Sequence, residues 1–153
     1  MPRRPSPAPR SIFQLKVTLE GIKPLVWRRL LVPSDIALHK LHAVLQQVMG
    51  WTSSHLHQFS LRDRRLGPIS SDEVMPDLDM EDERKVRLQE LIGPGQSLRY
   101  EYDFGDGWLH LVLVEQRLEP DPRLPYPLCI DGAHACPPRT VAGPQATLTS
   151  SGS

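Results

Sequence analysis

Long apolar runs are missing from this 153-residue chain. Nothing approaches the roughly 18–20 apolar residues of a membrane-crossing helix, so no membrane segment is expected. The basic start, Met1 to Arg10, has no apolar stretch behind it and is not read as a secretory signal. A cytoplasmic protein is therefore expected. Cysteine is scarce: Cys129 and Cys136 are the only two, and in that compartment they are expected as free thiols. Net charge is absent, with 18 Lys/Arg against 18 Asp/Glu, which argues against a protein that coats nucleic acid. Hydrophobic content, at 39%, is low, partly because sixteen prolines occupy the ends and one later segment. A folded part of roughly 100–115 residues still buries about two thirds of its surface, enough for one core.

What is present is unevenly placed. Residues 1–70 hold eleven Lys/Arg against three Asp/Glu, and residues 71–121 hold five against fourteen. The two halves either neutralise each other on folding or face different partners. Residues 1–11 read as a disordered basic arm, residues 12–118 as a single α+β domain, residues 119–138 as a Pro-rich extended segment with both cysteines, and residues 139–153 as a disordered tail.

Within the domain, Phe13, Leu15, Val17 and Leu19 alternate with polar residues, the pattern of a half-buried strand. Gly21-Ile22-Lys23-Pro24 marks a turn, and a second apolar run stops at Pro33. Arg28 and Arg29 fall on opposite faces of that second strand, as an anion clamp or as partners of the acidic half. Leu38, Leu41, Leu45 and Val48 recur at helical spacing, closed by Gly50, with His42 on the apolar stripe as a hydrogen-bonded core residue. His55-Leu56-His57-Gln58-Phe59 alternates as a strand, with His55 and His57 on one face, a weak metal signal. Residues 62–83 read as a solvated acidic loop with eight carboxylates. A short helical turn follows, before Gly93.

The last two strands, residues 98–104 and 108–118, enclose Asp103-Phe104-Gly105-Asp106-Gly107-Trp108-Leu109-His110. Its glycines and aspartates suit a tight turn. Asp103 and His110 flank that turn and are not explained by it. Cys129, His134 and Cys136 form a weaker metal candidate, since their spacing departs from a zinc knuckle.

These residues carry a resemblance. Trp27-Arg28-Arg29, Met49-Gly50-Trp51, His55-Leu56-His57-Gln58-Phe59, the Tyr100-to-His110 run and Cys129-x6-Cys136-Pro137-Pro138 fall in the order of the plasmid pRiA4b ORF-3-like family. The chain resembles that family over residues 12–138. The resemblance implies a passenger of insertion elements and carries no established reaction. After Pro138 this chain departs from the family, and a C-terminally truncated copy is expected. Ala37 stands where the family places Thr or Ser as a helix cap.

The expected architecture is α+β, a β-grasp-like mixed sheet of four to five strands with one main helix on a face. The expected function is a non-catalytic binding module with a protein partner, and enzyme status is left open. One alternative is a metal-dependent, hydrolase-like site in which His55, His57, Asp103, Asp106 and His110 hold a divalent metal that activates water. The other is nucleic-acid binding, with DNA met by the basic N-terminal half through Arg3, Arg4, Arg10, Arg28 and Arg29.

Overall fold

The computed structural model describes residues 11–51, 56–69, 80–103 and 107–133. Eight strands form one sheet: β1 Ile12–Leu19, β2 Val26–Pro33, β3 His57–Leu61, β4 Arg64–Gly67, β5 Met80–Asp82, β6 Ser97–Tyr102, β7 Trp108–Leu118 and β8 Leu128–Ala133. Their order across the sheet is β5-β4-β3-β6-β7-β1-β2-β8. Every pairing is antiparallel except β4 with β5. The main helix, α1, runs from Leu38 to Met49, and α2 is a single turn, Leu88–Leu91. None of the described helices is long and apolar enough to cross a membrane.

This sheet corrects the expectation of a four- to five-strand β-grasp. The polar stretch 62–83 is not simply a loop. Arg62 and Asp63 make a two-residue turn that folds β4 back on β3, and β5 then lies along β4. The Pro-rich stretch supplies β8 at the opposite edge, paired to β2. Outer strands such as Arg64–Gly67 and Met80–Asp82 are short, held by backbone hydrogen bonds, and bury few side chains. They therefore carry no apolar alternation to read. The expected basic arm lies outside the described residues except for Ser11, and the expected tail lies wholly outside them.

One sheet face holds the core. Phe13, Leu15, Val17 and Leu19 of β1 point to it, with Leu30 and Val32 of β2, Tyr100 and Tyr102 of β6, and Trp108, Val112 and Val114 of β7. Helix α1 covers this face with Leu38, Leu41, His42, Leu45, Gln46 and Met49. Ala37 at its start offers no capping side chain. The backbone of the α2 approach replaces it: the Leu38 N–H donates to the Val86 carbonyl at 3.0 Å, and the Leu88 N–H donates to Ile36 at 2.9 Å. The helix ends at Gly50, whose left-handed φ of 78° lets Gly50 and Trp51 donate back into the last turn.

Arg28 and Arg29 take opposite faces of β2. Arg28 lies on the helix side, where its Nε donates to the Val48 carbonyl at 3.2 Å. Its Nη1 donates to the Trp27 carbonyl at 2.8 Å and reaches Ala133 of β8 at 3.3 Å. It places a cation where the last carbonyls of α1 gather negative partial charge, and it ties that helix end to the sheet edge. Substituting Arg28→Met, which keeps the stem, should cost about 1–3 kcal/mol in urea unfolding. An unchanged midpoint would show that the guanidinium does not hold the helix end.

Candidate site: a buried histidine and tyrosine network

Under α1 the core is polar. Tyr100 is fully buried, and burial pushes its phenol pKa upward, so the O–H stays protonated. The Gln46 Nε2 donates to the Tyr100 oxygen at 2.9 Å. The phenolic proton is therefore free to donate to His42 Nδ1, 2.6 Å away. That assignment makes His42 a neutral imidazole with its proton on Nε2. Burial, reinforced by the charge of His57, pushes the His42 pKa down to about 4.

The His42 ring lies flat on that of His57, with centroids 3.5 Å apart and planes 6° from parallel. The His57 Nε2–H donates to the Glu83 carboxylate at 2.7 Å, and both residues are buried. The network thus runs from α1 through β3 to the single 3-10 turn Glu83–Lys85. Parallel stacked imidazoles direct their in-plane lone pairs along parallel lines, so this pair does not converge on one ion as it stands. Among the described residues, no three His, Cys, Asp or Glu side chains gather where they could hold a metal.

His110 lies on the same sheet face of β7, cross-strand from Tyr100 and ring to ring with it at 5.2 Å. It is fully buried, and its Nδ1–H donates to the Tyr100 carbonyl at 3.1 Å. Burial pushes its pKa down to about 4 against that hydrogen bond. Trp51 packs its ring against Tyr102, Trp108 and His110 at 5.3, 5.6 and 5.4 Å. Of the aromatic run read from sequence, Tyr100, Tyr102 and Trp108 are therefore packed core, and Phe104 lies outside the described residues.

The other candidates fall elsewhere. Asp103 adopts a left-handed φ of 60° where β6 ends, and its N–H donates to the Leu56 carbonyl at 2.8 Å. His55, Asp106, His134, Cys136, Arg3, Arg4 and Arg10 lie outside the described residues, so the five-residue metal set is not assembled from described residues. Cys129 is exposed on β8, with its thiol 3.5 Å from the Asp131 carbonyl. Arg29 points to the face away from α1 and forks onto Glu115 at 2.8 and 3.1 Å. That hydrogen bond holds the Glu115 carboxyl below its usual range.

The site reading missed Glu83, which sits in the supposedly solvated acidic stretch and is only 5% exposed. It also left Tyr100 and Gln46 out of the candidate set. The available clue for Glu83 was its place at the end of the acidic run, just before Val86 and Leu88. A single carboxylate entering an apolar segment needs a partner.

Fold and network together define a class: a single-sheet domain with one main helix among the described residues, whose core is organised by a buried histidine–tyrosine network. The chain belongs to the plasmid pRiA4b ORF-3-like protein family, which matches residues 11–149. A relative, the uncharacterized protein y4hQ of Sinorhizobium fredii (strain NBRC 101917 / NGR234), is 42% identical over 135 residues, spanning 88% of this chain and 68% of the relative. Among solved structures, the protein of unknown function MM3350 from Methanosarcina mazei Go1 superposes with a TM-score of 0.82 at 29% identity. That match covers 91% of this chain and 78% of the other.

Removing the Tyr100 hydroxyl takes a hydrogen-bond partner from His42 Nδ1 and one from Gln46 Nε2 in the core. Tyr100→Phe should therefore destabilise by about 1–3 kcal/mol in chemical denaturation, and a neutral result would mean the hydroxyl is not the hub. The low pKa values of His42 and His110 also set a pH dependence. The unfolded imidazoles titrate near 6.5, so between about pH 6.5 and 4 the unfolded chain binds more protons. Stability should fall as pH drops through that window, by up to about 3 kcal/mol for a fully buried imidazole such as His110. Denaturant midpoints across the window check this; a flat profile contradicts it.

Proposed function

We propose that the chain is a non-catalytic interaction module that binds a protein partner through the sheet face opposite α1. The observation that supports it is a division of labour between the two faces. On the helix side, His42 and His110 bond to Tyr100, while His57 stacks on His42 and bonds to Glu83. On the other side, Leu109, Leu111 and Leu113 of β7 lie half-buried beside Trp27, and no described helix covers them.

The chemistry of this face favours a protein over a polyanion. Lys16, Arg29 and Arg99 alternate with Glu20, Glu101 and Glu115, so both signs surround the leucines. Arg29 stacks on Trp27 at 5.0 Å from the ring centre while paired to Glu115, and Lys16 approaches the same ring at 5.2 Å. Balanced charge with apolar and aromatic anchors matches the make-up of protein interfaces. DNA binding is less favoured, because Arg28 and Arg29 direct their charge to groups within the chain. The exposed, free Cys129 fits a reducing cytoplasm, and the family's plasmid description fits a mobile-element setting.

The test uses the full chain as bait in cells of its own kind. A reproducible partner should be retained by the wild type and by the helix-side control Lys40→Glu. Leu111→Arg should lose it while keeping its circular dichroism spectrum and weaken binding at least about tenfold. No reproducible partner, or one indifferent to Leu111→Arg, would contradict the reading.

A further inference from the structure

We propose that the outer edge of β8 pairs with β8 of a second copy of this chain, joining two sheets about a two-fold axis. This inference concerns the sheet edge alone and is independent of the face proposed above for a protein partner.

The two edges of the sheet differ in how they are protected. At one end β5 is three residues long and ends in Glu81 and Asp82. Glu81 is clamped by Arg64 of β4 at 2.7 and 2.8 Å. A short, acidic strand is a poor template for further pairing. At the other end β8 runs six residues, Leu128-Cys129-Ile130-Asp131-Gly132-Ala133, with no lysine, no proline and one carboxylate. Its inner side is bonded to β2, and among the described strands none pairs with its outer side. Ile130 is 45% exposed there. Two features blunt it in part: a bulge, where the register slips between Arg29 and Leu30 and leaves Ile130 without a cross-strand partner, and the Asp131 carboxylate, which accepts from the Gly132 N–H at 2.8 Å.

The strand N–H and C=O groups of β8 that neither β2 nor the local contacts of Asp131 take up among the described residues call for another strand, and the identical edge on a second copy supplies one. An antiparallel pair of identical edges is self-complementary and closes at two copies, so it does not run on into a fibre. The charge pattern permits it. Asp131 sits 3.6 Å from the Arg29 guanidinium of its own chain. With the axis at Ile130, Asp131 faces Cys129 of the partner subunit, and no like charges are opposed.

Sedimentation velocity of the full chain from low to high micromolar concentration tests the pairing, alongside Ile130→Lys. A short bismaleimide, applied to a Cys136→Ser chain, reports whether two Cys129 thiols meet across the edge. The expected result is a concentration-dependent dimer, a Cys129 cross-link, and weakening of at least about tenfold by Ile130→Lys. Should that variant fail to fold, the cross-link decides alone. A chain that stays monomeric overturns the proposal, including one whose own C-terminal segment occupies the edge. A dimer that ignores Ile130→Lys and yields no Cys129 cross-link overturns it too.

Discussion

The Tyr100 hydroxyl holds the polar centre of this fold in register. It accepts from Gln46 and donates to His42, so both polar side chains on the buried stripe of α1 bond to one atom of β6. Without such a partner, a glutamine and a histidine on a core-facing helix would each bring an unmet hydrogen bond into an apolar interior. The histidine stack then passes the constraint to β3, and Glu83 closes it at the far end. Helix, sheet centre and the approach to α2 are thereby set at fixed distances by directional bonds, where leucines alone would allow sliding.

This arrangement also explains how the two faces come to differ. Alternation along β2 sends Arg28 toward the helix and Arg29 away from it. The first becomes an anchor for the carbonyl end of α1, and the second joins Glu115 and Trp27 on the uncovered face. The basic N-terminal half and the acidic middle of the sequence meet at such pairs, Arg29 with Glu115, Arg64 with Glu81 and Arg99 with Glu20. These half-exposed pairs contribute little stability each, and those of Arg29 and Arg99 keep the uncovered face mixed in charge.

The strands with apolar alternation, β1, β6 and β7, and the 3.6-residue stripe of α1 were legible in the sequence because each buries one face. So was the placing of His42 on that stripe as a bonded core residue. The outer strands β4, β5 and β8 were not, since they are held largely through backbone groups that every sequence possesses. Omitting those three reduced an eight-strand sheet to a four- or five-strand one. Among site residues, the run from Tyr100 to His110 reads in sequence as a turn with core or rim aromatics, and nothing in that pattern marks the Tyr100 hydroxyl as the hub it forms. Glu83 was hidden for a different reason: one buried carboxylate in a run of exposed ones looks the same in sequence, and only its hydrogen bond to His57 across 26 positions distinguishes it.

The central claim is that His42 and His110 are neutral structural members with assigned protons. Nitrogen-15 NMR of the imidazoles near pH 6 reads this directly. The account predicts His42 protonated on Nε2 with a bare Nδ1, and His110 protonated on Nδ1. Finding either ring as imidazolium at that pH, or with the opposite tautomer, would contradict it.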